Sequence, residues 1–466
     1  MKKKSLHDGI GILIAGIVAL SLALCGGSSL LAAGPGGGAL RAGAAMRVVN
    51  PTKPAVPIGH RGTTAYTETH ADIRVQAVAF EDPAGKRIVW LGGDFCNVYA
   101  AFVDQIKKTL RERHGLEPNN VCINASHTHS APALMACEVL RADHFDQAYA
   151  DRVRREMVAV VADALARLAP ARVRYCEDTC TVGINRRRFK GERMVMLPNS
   201  DGVVDHRAQV IVAESAKDGK PIGVVVKYAC HPVTVGPKGL GSDYPGLMRK
   251  FVEADHPEAV VVFLQGCCGD VRIRAVNEDK SGWVDGTAQM AERFGRELAD
   301  AVKRAMKKAG TPIAGPIRAN YAEITLPVSK LSEKTYRDAA KKNDYSGAWG
   351  KKFAGMLDQG QSVPTRVPYR IQAFRFGPGA SPFTLVALQG EVFTEYGLNI
   401  GKALTPANAI VLGYSNEIAG YVPTAKAIEE GGYEPGAYAF WLVPGPYTTE
   451  VEGVILKAVE KLVRPK

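Results

Sequence analysis

Two kinds of hydrophobic pattern alternate along this chain. "IRVQAVAFED" (73–82) alternates apolar and polar positions, and "RIVWLGGDF" (87–95) is an apolar run that breaks at Gly-Gly-Asp. Both patterns predict strands, the second a buried one. "AFVDQIKKTLRERHG" (101–115) carries apolar residues at helical spacing and stops at a glycine. Downstream, "NVCINAS" (120–126), "IGVVVKYACHP" (222–232), "AVVVFLQGCCGDV" (259–271), "FTLVALQGEVF" (383–393) and "NAIVLGYSNE" (408–417) predict further strands. Residues 146–168, 285–308 and 449–463 predict helices. The polar stretch 330–365 predicts a helical insertion, and no fixed-period repeat is visible. The alternation predicts an α/β fold with mixed, largely buried central sheets flanked by helices, in one large elaborated domain over residues 47–466.

The N-terminus departs from this pattern. A basic start, Lys2 to Lys4, leads into an apolar run from Gly9 to Leu24 and then into small residues, the layout of a secretory signal peptide. The run is also long enough to be kept as a single anchor helix. A lipobox reading at Cys25 is weaker, because Leu24 stands where a small residue is expected. Residues 33–46, rich in glycine and alanine, predict a linker. Residues 1–46 are thus expected to be a signal peptide or N-terminal anchor plus linker. The expected location is exported: periplasmic, secreted or anchored by this segment.

At 46% hydrophobic and 23% charged residues, the composition excludes general disorder. The net charge is +12, but Lys and Arg are spread along the chain, and the densest run, "NRRRFKGER" (185–193), has no nucleic-acid motif beside it. A solvated basic face is expected, with no nucleic-acid partner; attraction to an anionic surface such as a membrane stays open. The nine cysteines show no zinc-ribbon spacing. Adjacent Cys267 and Cys268 are expected to be buried thiols or to have separate partners.

Chemistry gathers where apolar runs end. His127 and His129 follow "NVCINAS", His231 follows "VVVKYAC", Asp270 follows "VVVFLQGCCG", Glu391 follows "TLVALQG", and Tyr421 follows "IVLGYSNEIAG". Imidazole, carboxylate and phenolate suit zinc. A lone His-x-His also occurs as a hydrogen-bonded loop, so spacing by itself leaves both readings open. Gly-x-Ser-x-Gly and GxxxxGK[ST] motifs are absent, leaving Ser126 and Ser130 unsupported as nucleophiles.

Taken in order, these segments resemble the neutral/alkaline non-lysosomal ceramidases, specifically their catalytic N-terminal domain. The matching motifs are "HTHSAP" (127–132), "GINRR" (183–187), "YACHP" (228–232), "SDYPG" (242–246), "FLQGCCGDV" (263–271), "GEVFT" (390–394), "NEIAGYVPT" (416–424) and "GGYEPGAY" (431–438). The resemblance implies Zn2+ held by His127, His231, Glu391 and Tyr421, with His129, Arg186 and Tyr433 around a scissile amide. It also implies orienting or substrate-contact roles for Asp94, Asp243 and Asp270; a capping or turn role is the alternative for Asp94 and Asp243.

Two departures modify that picture. The family keeps a serine after Gly-Asp-Val/Ile, where this chain has Arg272, so a serine-acyl mechanism at that position is excluded. Arg272 is either a surface or salt-bridged arginine or a contact for an anionic part of a different substrate. The family's C-terminal immunoglobulin-like domain is not represented. The resulting expectation is an exported zinc hydrolase that cleaves an N-acyl amide through zinc-activated water, acting on a small-molecule or lipid substrate. The alternatives are a zinc hydrolase of a non-lipid amide or ester in the envelope, and a non-catalytic binding protein that retains the fold.

Overall fold

The computed structural model describes residues 39–58, 64–135, 145–378 and 382–464. The expected leader and anchor therefore lie outside the described residues up to position 38. From Leu40 the expected linker is instead strand β1 (Leu40–Val48), in the middle of the main sheet. Its small residues serve close packing rather than flexibility: a Cβ on Gly43 would lie 2.2 Å from the Ala164 carbonyl oxygen of the helix above.

The main sheet joins β1 to β2 (Arg74–Glu81), β3 (Arg87–Gly93), β4 (Val121–Ala125), β5 (Ala169–Thr179), β8 (Arg207–Ser215), β9 (Pro221–Tyr228), β10 (Val260–Gln265) and β12 (Thr311–Ile313). Its order is β10-β9-β8-β5-β1-β2-β3-β4, with β12 on β5. The outermost pairs, β10/β9 and β3/β4, are parallel, while the pairs along the path between them are antiparallel. A three-stranded sheet is built from β6 (Gly183–Lys190), β7 (Arg193–Asn199) and β11 (Val271–Ile273). A four-stranded sheet contains β13 (Ile317–Pro327), β14 (Arg366–Phe376), β15 (Phe383–Leu388) and β17 (Ala409–Leu412). Short strands β16 (Glu391–Val392) and β18 (Tyr421–Val422) pair with each other.

Strand alternation sorts side chains into layers. Ala77 and Ala79 of β2 face a core shared with helices α1 (Ala100–His114), α2 (Gln147–Ala166), α3 (Asp243–Asp255) and α4 (Ala288–Met306). Val78 and Phe80, one residue out of phase, face the four-stranded sheet. There Trp90 meets Phe80, Phe374 and Phe376 edge-on, with centroids 5.1, 6.0 and 5.7 Å away. Such pairs add about 0.5–1.5 kcal/mol each beyond area burial. The far side of the four-stranded sheet is covered by α7 (Thr394–Ala403) and α10 (Glu450–Val463). The expected helical insertion forms α5 (Glu333–Ala340) and α6 (Tyr345–Asp358), with a small core of Tyr336, Trp349 and Phe353. Helix, sheet, sheet, helix is the layering of the mixed α/β fold expected from the sequence. Each described cysteine is a buried free thiol, Cys267 and Cys268 included.

Candidate metal centre and active site

Three apolar strands end at one place. After β4 the chain turns through His127, whose φ of 64° lies in the left-handed region, an uncommon conformation for a residue with a Cβ. Its N–H donates to Phe95 O at 2.9 Å, which anchors the turn. His231 follows β9, and Glu391 opens β16. His127 Nε2 and His231 Nε2 lie 3.2 and 3.0 Å from the same carboxylate oxygen, Oε2 of Glu391. All three side chains are at most 2% exposed. His129 Nε2 approaches His127 Nε2 to 3.2 Å.

The other ring nitrogens fix the tautomers. His127 Nδ1 sits 2.6 Å from Cys96 O; His231 Nδ1 sits 2.9 Å from both Cys268 O and Val271 O. A carbonyl oxygen only accepts, so each Nδ1 carries the hydrogen and each Nε2 presents a lone pair. Two lone pairs then face one carboxylate oxygen at hydrogen-bond distance, an arrangement that repels unless a proton or a cation lies between them. Two imidazole nitrogens and a carboxylate oxygen, oriented by backbone carbonyls, fit zinc. The electrostatics show the same demand for positive charge between them, met by a proton on His127 when no cation is there. Burial works against charge on His127, yet Cys96 and Glu391 outweigh it and push its pKa up to about 10. Burial and Arg186 push His231 down to about 3. Burial opposes charge on Glu391, but His127 and His231 hold it below the usual carboxylate range. Cys96, His127 and His129 form a second group of suitable donors. There, however, His127 Nδ1, 3.8 Å from Cys96 Sγ, already donates to Cys96 O.

Tyr421 is the register partner of Glu391 in the β16–β18 pair, so both side chains leave the same face of that ribbon. Its ring lies 5.4 Å from the Arg186 guanidinium and 5.7 Å from the ring of Tyr433. Tyr433 is 53% exposed, at the rim. Arg186 is buried; its Nε donates to Glu434 Oε1 at 2.9 Å and one Nη to Gly269 O at 2.7 Å. Burial opposes its charge, but Tyr421, Glu434 and Glu391 raise its pKa further. The structure thus brings together all seven residues expected as ligands or catalytic groups.

The expected supporting carboxylates divide. Asp94 does not orient a histidine: it forms a buried two-pronged pair with Arg249 at 2.9 and 2.5 Å and accepts from Arg74 N–H. Asp243 accepts from the Thr234 and Val235 N–H groups at 2.9 and 3.0 Å, a turn role that shapes the loop after His231. Backbone carbonyls hold the imidazoles in their place. Asp270 acts through the chain as well. It accepts from Thr394 N–H and Oγ1–H at 2.8 Å each, and from Asn185 Nδ2 at 3.1 Å. It thereby ties the Glu391 and Arg186 segments together, and burial raises its pKa to about 6. Ser130 donates to Gly236 O at 3.0 Å within its loop. Arg272 lies beside His231 and stacks on Trp283, its Cζ 4.3 Å from the ring centroid.

Sequence reasoning passed over the residues that assemble the centre. Gln265 Nε2 donates to Ser126 O at 2.7 Å and to Cys230 O at 3.0 Å, the residues immediately before His127 and His231. Asn124 Nδ2 donates to Gly413 O at 2.8 Å, and Asn124 Oδ1 accepts from Gln265 N–H at 2.7 Å, joining the two large sheets. Glu434 binds Arg186 and Arg187 at once. The available signal was an amide or carboxylate inside an otherwise apolar run, as in "VVVFLQ".

Residues 65–271 match the model of the family described as neutral/alkaline non-lysosomal ceramidase, N-terminal. Over that segment the chain is similar to this family. No curated protein sequence matches it significantly. Among solved structures, it is similar to neutral ceramidase from Pseudomonas aeruginosa, at 18% identity and a TM-score of 0.70, over 91% of this chain and 74% of that one. It is equally similar to a structure described as ceramidase complexed with C2, at 17% identity and TM-score 0.70 over the same shares. These structural matches share the chain's fold. The sequence match stops at Val271, before Glu391 and Tyr421, so it does not cover those two residues.

Proposed function

We propose that this protein is an exported zinc-dependent amidohydrolase that cleaves an N-acyl amide, with a ceramide-like lipid as the simplest substrate. The observation that carries the proposal is the buried group of His127 Nε2, His231 Nε2 and Glu391 Oε2, acceptors facing one another beside a buried guanidinium. His127, His231, Glu391 and Tyr421 would hold the ion. When bound, zinc supplies a Lewis acid that lowers the pKa of water to about 7 and polarises a carbonyl.

The chain's own groups account for the rest. Arg186, permanently charged and clamped by Glu434 and Gly269 O, favours negative charge developing on the acyl oxygen. Hydrolysis forms a bond from water oxygen to the acyl carbon and breaks the carbon–nitrogen bond, so one proton must reach the leaving amine. His129, with Nε2 at the centre's edge, is placed to relay it. Tyr433 at the rim is placed to contact the incoming amide. The β6–β7 hairpin exposes Phe189 beside Lys190 and Arg193, an apolar tip with basic flanks that suits an anionic lipid surface.

Metal analysis with turnover of an N-acylsphingosine tests the proposal. One zinc per wild-type chain, its loss in His127→Ala/His231→Ala, and parallel loss of turnover are expected. A wild type without stoichiometric zinc, or a variant that keeps it, refutes the assignment.

A further inference from the structure

Among the described residues, three buried guanidiniums meet carboxylates: Arg186 and Arg187 share Glu434, and Arg249 takes Asp94. Arg375 on β14 and Arg272 beside the candidate centre do not. Arg272 is largely enclosed, yet among the described residues it makes no salt bridge and no side-chain hydrogen bond, and its Nε is buried without a partner. A buried donor without an acceptor is costly, and more so when it carries charge.

Its position gives that cost a use. Arg272 forms a parallel bridge with His231 and pairs with Ile184, two residues from Arg186. Bridged residues on adjacent strands lie about 4.8 Å apart with side chains on the same face, so Arg272 leaves the sheet on the side of the metal ligand. Trp283 supports it from below, and the indole N–H is fixed to Met196 O at 3.0 Å. A guanidinium stacked by its face keeps its in-plane N–H edges free, the geometry that grips a carboxylate or phosphate with two parallel bonds.

We infer that Arg272 and Trp283 form an anion subsite beside the metal centre, and that the preferred substrate carries a carboxylate or phosphate close to its acyl linkage. This rests on the amidohydrolase reading above for catalysis, but not for binding. The test therefore uses both. N-dodecanoylglycine is compared with its uncharged amide, N-dodecanoylglycinamide, and N-dodecanoylethanolamine phosphate with N-dodecanoylethanolamine, by kcat/KM and by calorimetric binding to the full chain. Wild type should favour the charged member of at least one pair, and the pair that shows it tells carboxylate from phosphate. Arg272→Met, which keeps an apolar stem on Trp283, should lower the charged-to-neutral ratio about 10- to 100-fold, as loss of a charge-assisted pair predicts. Arg272→Lys should recover part of it. Unchanged zinc content shows that the variant is folded. Equal binding within both pairs, no binding of any member, or a preference that survives Arg272→Met overturns the inference. Arg272-dependent binding without hydrolysis supports the subsite and refutes the amidase reading instead.

Discussion

Glu434 is the single carboxylate between two buried guanidiniums, and Glu434→Ala tests how far the centre depends on it. Its Oε1 accepts from Arg186 Nε at 2.9 Å and its Oε2 from Arg187 Nη1 at 2.7 Å, with all three side chains at most 7% exposed. Truncating one partner of a buried ion pair costs about 3–5 kcal/mol, because a charge is left enclosed without compensation. Here Arg186 loses its carboxylate, while Arg187 keeps Glu430 at 3.4 Å. Each retains a carbonyl partner, Gly269 O for Arg186 at 2.7 Å and Gly431 O for Arg187 at 2.8 Å, which keeps the expected loss near that range rather than doubling it. Glu434→Gln preserves shape and one acceptor, so about 1–3 kcal/mol is expected. Urea unfolding at constant slope reads both values. Because Arg186 loses the bond that aims it, kcat/KM should fall about 10- to 100-fold even where the protein is fully folded. An alanine variant within about 1 kcal/mol of wild type, with kcat/KM within about twofold, would refute the reasoning.

Three further outcomes follow from the same geometry. A Cβ on Gly269 would lie 2.4 Å from Glu391 O and 2.9 Å from the Phe393 ring; Gly269→Ala should weaken zinc affinity at least about tenfold in a competitive chelator titration. Lys107 is 7% exposed, and burial lowers its pKa to about 8, against about 10.4 unfolded. The unfolded chain binds more protons between those values, so wild-type stability should rise as pH climbs from about 8 to 10. Lys107→Met should remove that rise and add about 1–3 kcal/mol at pH 7, read by denaturant midpoints at both pH values. Chelating the metal should lower the melting temperature, since a ligand at about 1,000 times its Kd contributes about 4 kcal/mol; a melt indifferent to chelator and to added zinc would contradict the centre.

Local sequence determined a good deal of this protein. Helix α1 ends at Gly115, which adopts φ 64° as a glycine stop should, and the apolar runs at 87–95, 120–126 and 259–271 became β3, β4 and β10. His127, His231, Glu391 and Tyr421 were legible as polar groups at the ends of apolar runs and through their resemblance to a family. Elsewhere local signals misled. The glycines and alanines before residue 46 have the composition of a linker, but only the helix packed 2.2 Å from a would-be Gly43 Cβ makes smallness a packing demand. Asp94 has the composition of a histidine's orienting carboxylate, yet Arg249, 155 residues away, claims it.

Tertiary structure alone decided which imidazole nitrogens face Glu391, because the carbonyls of Cys96, Cys268 and Val271 set the tautomers. It also decided that Gln265 holds both histidine segments and that Arg272 lacks a carboxylate among its described neighbours. Periodicity is a property of neighbours in sequence, written in side-chain size and polarity. A hydrogen-bond partner or a missing countercharge belongs to groups far apart in the chain, and exists only once the strands that carry them are packed.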